Sequence, residues 1–442
     1  MPAKPTFLSL QDELANDDYK VRKEAIRKLM RYYRPQALEP LLILLHDKRG
    51  DVRNKAVQAL GRLADPRAFQ SLQALLVDKN ANVRARVIRA LGNFGDRSIV
   101  PVLLNLLNDQ QSRIRQAAAR SLGKLKDRRA TVPLLAYLAN AEPEEYYNVI
   151  LALCDLDNPG VVEPLLAWVD RHTDLDAPSI VAEGLSRMGE AVIDSLLSIL
   201  ADTTRTSKVR MCAVQALGNR PRPEFAQPLI AALNDSGARV RQYAAQALGV
   251  LKDPVAIDPL LRLLDDEDEW VCCSAIHALV ELNATCAVEP LTKLLSHEQR
   301  CVAERAALAL GRLRDSRALV PLLDALFQET GPGWRAAQAL CEIGDPAIVE
   351  PLLRRLPASS NLQCWYSLMI FHHFPDPRAL EPLRHELHSR ALDLENWYER
   401  QLQAGLRRLL DQLGDASVAR QGSCISPFFI HAALAQPAPG QK

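Results

Sequence analysis

Apolar residues along this chain recur at helical spacing in short blocks, and the blocks themselves recur. In VRNKAVQALGRLADPRA, residues 52–68, Val52, Ala56, Ala59, Leu60 and Leu63 mark one face of a helix, because positions three and four apart lie above one another on a 3.6-residue turn. In the overlapping DPRAFQSLQALLVD, residues 65–78, Ala68, Leu72, Leu75 and Leu76 make a second stripe. Each block therefore predicts a helical hairpin.

The hairpins keep register over most of the chain. The Leu of the ALG triplet appears at Leu29, Leu60, Leu91, Leu122 and Leu153 every 31 residues, at Leu185 and Leu217 every 32, at Leu248, Leu279 and Leu310 every 31, and at Leu340 after 30. A marker in the preceding helix agrees: Leu41, Leu72, Leu103 and Leu134, then Leu229, Leu260, Leu291 and Leu322, also 31 apart. A single hairpin buries only part of its apolar surface, so neighbours must stack. The expected fold is all-α, a right-handed α-solenoid of 12 to 13 stacked hairpins over residues 1–414, with 415–442 as a C-terminal cap and flexible tail. Turns such as ADPRA, KDPVA and PDPRA place Asp to cap the next helix and Pro in its first turn. Prolines also fall inside the first helix of most copies, among them Pro40, Pro101, Pro133, Pro259 and Pro290, and predict a tolerated kink.

The pattern Asp-x(5)-Val-Arg-x-x-Ala-x-x-Ala-Leu-Gly-x-Leu-x-Asp resembles the HEAT repeat, in the short 31-residue form that also occurs in phycobilisome lyases. The resemblance implies an α-solenoid, and with it a hydrogen-bonded ladder between units built from the Asp before the second helix and the Arg after its Val. The corresponding pairs are Asp47 with Arg53, Asp78 with Arg84, Asp109 with Arg115, and Asp235 with Arg241. It implies no single activity, since such scaffolds carry unrelated sites.

Charge separates the copies that the hydrophobic pattern makes alike. Residues 1–130 hold 26 Lys and Arg against 13 Asp and Glu, a net of +13, while residues 131–442 hold 28 against 40, a net of -12. The sign changes abruptly, with nine acids and one base, Arg171, between 131 and 180. In the first four copies, positions two, six and ten after the Val of the second helix, with their neighbours, supply Lys23, Arg27, Arg31, Lys55, Arg62, Arg86, Arg89, Arg120 and Lys124. In such solenoids these positions line the concave face, so they predict a basic groove for an acidic partner, felt mainly in association rate and salt dependence.

Residues that would carry chemistry are scarce. There is no G-x-x-x-x-G-K-[ST], no G-x-S-x-G and no H-E-x-x-H. Where the similar deoxyhypusine hydroxylases place iron-binding His-Glu pairs, this chain has Asn54-Lys55, Ala85-Arg86, Gln116-Ala117, Met211-Cys212, Gln242-Tyr243 and Glu304-Arg305. Four histidines near the C-terminus, His372, His373, His385 and His388, lack acidic or Cys companions in metal-ligand spacing. The adjacent Cys272 and Cys273 break the ladder, and a late group of aromatics, including Trp334, Trp365, Tyr366, Trp397 and Tyr398, reads as larger core side chains.

No metal and no cofactor are expected. The expected function is a non-catalytic protein-interaction scaffold whose partner presents an acidic segment. The alternative implied by the resemblance is a phycobilin lyase or bilin-handling protein, although the aromatic-rich YYAAWWLG stretch of one lyase branch is absent and EEYYNVILALC, residues 144–154, is the nearest approach. Non-specific nucleic-acid binding by the basic copies is a further alternative. Irregularly spaced cysteines, the lack of a membrane-length apolar run and the acidic N-terminal stretch predict a cytoplasmic protein without membrane attachment.

Overall fold

A computed structural model describes residues 5–172, 176–329 and 331–389, with 404, 405, 408 and 409. The chain forms two compact units, Met1–Leu251 and Lys252–Lys442. Among the described residues there are helices and no strands: eight hairpins lie in the first unit and four in the second, whose last described element is the first helix of one more copy, ending at Ser389. The 415–442 tail, Trp397 and Tyr398 lie outside the described residues.

The two arms of a hairpin differ in kind. Except in the first hairpin, where it is the single helix Phe7–Leu14, the first is short and segmented, as in the 3-10 turn Pro66–Ala68, the α segment Phe69–Ala74 and the 3-10 turn Leu75–Val77. The second is uninterrupted, as in Gly50–Leu63 and Ala81–Phe94. The segmentation accounts for the recurring proline. Pro40 in Leu38–Ile43, Pro101 in Val100–Asn105 and Pro290 in Val288–Lys293 stand second or third in their α segments, where an N–H has no intrahelical acceptor. These prolines begin the α segment and need no kink within it. Asp65, Asp127 and Asp253 cap the preceding turn, each accepting the N–H two residues on at 3.0 Å.

The register leucines form the core: Leu29, Leu60, Leu91, Leu122 and Leu153 are fully buried, as are Leu41, Leu72, Leu103 and Leu134. The Gly of ALG sets how closely successive second helices approach. A Cβ on Gly61 would stand 2.8 Å from the Cβ of Ala90, and one on Gly123 would stand 2.8 Å from the backbone Cα of Ala152. The contact excludes any side chain there, so the small residues are a packing requirement.

Buried arginines tie one hairpin to the next, along a route that differs from the pairing implied by the resemblance. Arg53 Nη1 donates to the backbone carbonyl of Asp47, six residues earlier, at 2.8 Å. Its Nε and Nη2 donate to the carboxylate of Asp78 in the following unit at 2.7 and 2.8 Å. The carboxylate of Asp47 is held by Arg22 instead, at 2.7 and 2.9 Å. Arg210 and Asp235 repeat the bidentate geometry at 2.6 and 2.7 Å, and Arg241 Nη1 donates to the Asp235 carbonyl at 2.8 Å. Arg53 thus uses the carbonyl of its own unit's Asp and the carboxylate of the next, while Arg22 and Arg210 take the next carboxylate and turn Nη1 to other carbonyls of their own turns, those of Asn16 and Asp17 and that of Arg205.

Among the described residues, two of the arginines at this position, Arg84 and Arg115, lack the Asp carboxylate. Arg84 keeps the bond to the Asp78 carbonyl at 2.9 Å, and among the described residues no ion pair joins it to Asp109. Arg115 keeps the Asp109 carbonyl at 2.9 Å, but Asn140 occupies the next Asp position, and Glu145 accepts Arg115 Nη2 at 2.7 Å in its place. In the second unit Cys272 replaces the Arg, its Sγ lying 3.0 Å from the Asp266 carbonyl. The position 25 residues on, Asp in earlier copies, is His297, whose Nδ1 accepts the Gln299 N–H at 3.0 Å. One period later the same two positions hold Ala303 and Gln328. Burial pushes the thiols of Cys272 and Cys273 up, to about 11 and about 12, which keeps both protonated at neutral pH.

In the Arg53–Asp78 pair both side chains are nearly inaccessible, at 7% and 5% exposure, so removing one partner strands a buried charge. Arg53→Ala is expected to cost about 3 kcal/mol in denaturant unfolding, and Arg53→Ala with Asp78→Ala clearly less than the two single losses combined; additive losses would contradict the pairing. Burial alone would raise the Asp78 carboxyl; the hydrogen bonds from Arg53 and from the Asn80 N–H, with the charges of Arg53 and Lys79, together outweigh that and hold it below its ordinary value. The stability it contributes is present above the ordinary carboxylate range and is lost as pH falls through it, so Asp78→Asn should flatten the acid limb of a stability–pH curve. Gly123→Ala is expected to destabilise by about 1–3 kcal/mol, read as a lowered urea midpoint, whereas Gly95→Ala meets open space and loses only the left-handed backbone preference of glycine.

Candidate functional site

The nine basic residues singled out by the charge pattern lie on four successive second helices of the first unit: Tyr19–Tyr32, Gly50–Leu63, Ala81–Phe94 and Ser112–Leu125. Register is maintained by side chains that bridge these helices. Arg86 Nε donates to Asn54 Oδ1 at 3.3 Å, Asn54 Nδ2 to the Asn82 carbonyl at 2.9 Å, and Lys124 Nζ to Asn93 Oδ1 at 2.8 Å. Asn148 Nδ2 continues the line onto Gln116 Oε1 at 2.9 Å.

Seven of these cations fall into two groups. Arg27 and Arg31 of the first helix join Lys55 and Arg62 of the second around a cleft of about 240 Å³. Ile26, Met30 and Ala59 give this cleft apolar walls, and Gln58 completes it. Lys55 Nζ donates to Gln58 Oε1 at 3.2 Å. The second group surrounds Arg89. Ser121 Oγ donates to the Ile88 carbonyl at 2.9 Å, with the residue after Ile88 and the residue before Ser121 being Arg89 and Arg120. Arg86 shares the Arg89 helix face one turn away, and Arg113 lies two turns before Arg120. Arg89 is half-buried; burial lowers its pKa from the ordinary value, and the charges of Arg86, Arg120 and Arg113 lower it further.

Charge neutralisation within this surface is sparse. Arg27 pairs with Glu24 at 2.5 Å, the arginine exposed and the glutamate half-exposed, a pairing of little energetic weight in water. Among the described residues Lys23, Arg31, Lys55, Arg62, Arg86, Arg89, Arg120 and Lys124 make no ion pair with a carboxylate. Lys23 stands over the Tyr19 ring at 5.8 Å and Arg31 over Tyr32 at 5.3 Å. The ladder arginines behave oppositely: Arg22 and Arg53 are buried and bound to carboxylates. Arg113 was not singled out by the two, six, ten spacing. It precedes Ile114, and only its nearness to Arg89 and its hydrogen bond to Asn82 Oδ1 bring it into the group.

Beyond residue 125 this line of the first unit loses its excess charge. Tyr147 donates to Glu183 at 3.1 Å, Arg187 pairs with Asp155 at 3.1 Å, and Gln215 and Gln242 follow at the equivalent positions. In the second unit, Asp266, Glu267, Asp268, Glu269 and Glu298 surround the half-exposed Trp270 and His297 in a polar recess of about 670 Å³. Among the described residues no group of three or more His, Cys, Asp or Glu side chains could hold a metal ion; the side chain of His388 lies outside them. Also among the described residues, no helix is long and apolar enough to cross a membrane.

Comparison with known proteins agrees with the architecture. HEAT repeats match residues 8–81, 72–146, 193–280 and 262–335, and the PBS lyase HEAT-like repeat matches 334–356. No curated protein sequence matches the chain. Among solved structures, Kap121p bound to Pho4p is similar with a TM-score of 0.52 at 14% identity, over 91% of this chain and 52% of that one. Kap121p bound to RanGTP gives 0.50 at 14%, over 92% and 53%, and Kap95p with RanGDP gives 0.50 at 12%, over 97% and 68%. The chain spans about half the length of Kap121p, and at these identities the likeness is one of fold. With its period, its segmented and continuous helices, and a repeat match over more than half its length, the chain belongs to the HEAT-repeat family.

Proposed function

We propose that the protein is a non-catalytic scaffold that binds an acidic segment of a partner protein along the exposed cations of its first four second helices. The observation that carries this reading is the contrast between two classes of arginine in one unit. Those needed for stacking are buried on carboxylates, and those on the outer line of the same helices have almost no carboxylate near them. A surface of like charge without internal neutralisation attracts an acidic ligand over a distance of about a Debye length, near 8–10 Å at physiological salt.

The groups between the cations favour a polypeptide as the ligand. Asn54, Gln58, Asn82, Asn93 and Gln116 interleave amides with the charges, and amides satisfy both the N–H and the C=O of an extended backbone. The Ile26, Met30 and Ala59 walls of the first cleft suit an apolar side chain flanked by carboxylates. Kap121p and Kap95p, similar in fold, are bound to Pho4p, RanGTP and RanGDP in their structures. The bilin alternative rests on the repeat type, matched at residues 334–356.

Binding of a fluorescent Glu-rich peptide is expected to weaken about tenfold or more between 50 and 200 mM NaCl, since its attraction is mainly between exposed charges. Changing Arg27, Arg62, Arg89 and Arg120 to Glu should weaken it at least about a hundredfold at low salt, while the same reversal at Arg262, Lys293, Arg300 and Arg312 should leave it within about twofold. Equal losses from both sets would mean that net charge and not this surface governs binding. Tighter binding of duplex DNA than of the peptide, at matched salt, would favour the nucleic-acid reading.

A further inference from the structure

The arginine group around Arg89 has a composition that a generic acidic segment does not require. Four arginines, Arg86, Arg89, Arg113 and Arg120, lie on the helices Ala81–Phe94 and Ser112–Leu125: Ser121 on the Ile88 carbonyl sets Arg120 beside Arg89, and Asn54, donating to the Asn82 carbonyl, brings the Arg86 and Arg113 guanidinium groups, which donate to Asn54 and Asn82, onto adjoining partners. Lysine is absent from the group, although Lys55 and Lys124 serve elsewhere on the same surface. Among the described residues no carboxylate pairs with any of the four; Arg86 and Arg113 donate instead to the amide oxygens of Asn54 and Asn82.

Arg89 is half-buried among like charges, an arrangement that costs free energy until an anion offsets it. One carboxylate brings a single charge and engages one guanidinium well. A phosphate monoester brings nearly two charges and three acceptor oxygens, and its geometry matches several planar forks at once. A nucleic-acid strand carries one charge per phosphodiester along its length and would draw equally on the whole surface, whereas these four arginines lie on two adjacent helices, with the charges of the other three acting on Arg89.

We infer that the group formed by Arg86, Arg89, Arg113 and Arg120 is a binding site for a phosphorylated side chain of the partner's acidic segment. The inference rests on the proposed function and adds to it the chemistry of one position in the ligand. It also sets a spacing. Packed helices lie about 8–10 Å apart, so the cleft between the first two helices and the arginine group between the third and fourth are separated by about 20 Å. That distance is spanned by about six extended residues. An apolar side chain in the cleft and a phosphoserine about six residues away would engage both sites together.

The test is fluorescence anisotropy on the full chain with a Glu-rich peptide carrying one Leu and, six residues away, either Ser or phosphoserine. The phosphorylated form is expected to bind about tenfold more tightly. That increment should vanish in Arg89→Gln and shrink in Arg89→Lys, which keeps the charge and loses the planar fork, and it should persist in Arg27→Gln. A thermal shift with inorganic phosphate provides a readout independent of the peptide: phosphate should raise the unfolding temperature of the native chain more than that of Arg89→Gln. Equal binding of the two peptides would overturn the phosphate site and leave the acidic-segment reading standing. Failure of both peptides to bind would overturn both. An increment that survives Arg89→Gln, or a single-stranded oligonucleotide bound as tightly with the same dependence on Arg89, would also overturn it.

Discussion

The guanidinium of a buried arginine, shared between two hairpins, is the interaction on which the rest of this structure depends. Arg53 satisfies a carbonyl at the end of its own first helix and a carboxylate at the end of the next one. One side chain therefore fixes both where a hairpin closes and how far away its neighbour sits. The glycine of each ALG triplet supplies the complementary constraint, since Gly61 admits Ala90 at a distance no side chain would allow. Attraction at one end of the helix and close backbone contact near the other set the spacing at which cations on successive helices become neighbours.

Much of this was legible in the chain before any coordinates. Period, helix count, capping aspartates and the buried leucines follow from spacing alone. The partner of each ladder arginine did not, for a definite reason. With a 31-residue period, the Asp six residues before an Arg and the Asp 25 residues after it are the same letter in adjacent copies, so sequence cannot say which carboxylate is used. Only the geometry shows Arg22 on Asp47 and Arg53 on Asp78, with the backbone carbonyl taking the shorter link. The prolines were misleading in a related way: periodicity marks one long first helix, and a proline inside it reads as a kink until the arm is seen as 3-10 turns around a short α segment.

The surface was legible as charge and illegible as grouping. Lys23, Arg27, Arg31, Lys55, Arg62, Arg86, Arg89, Arg120 and Lys124 stand out because they vary where the core letters do not. Their division into an apolar-walled cleft and an arginine-only group depends on which helices pack and through which atoms. The same division separates two uses of one residue type. Arg22 and Arg53 are withdrawn from solvent and bound to carboxylates, so they hold units together; Arg62 and Arg120 are exposed and have no such partner, so they are available to a ligand.

Zero-length carbodiimide coupling of a Glu-rich peptide to the protein, followed by mass spectrometry of the joined residues, tests the account most directly, because an amide forms only where a peptide carboxylate rests on a lysine. The account predicts links to Lys23, Lys55 and Lys124, on the exposed line of the first four second helices. Links confined to Lys208, Lys252 and Lys293 would contradict it.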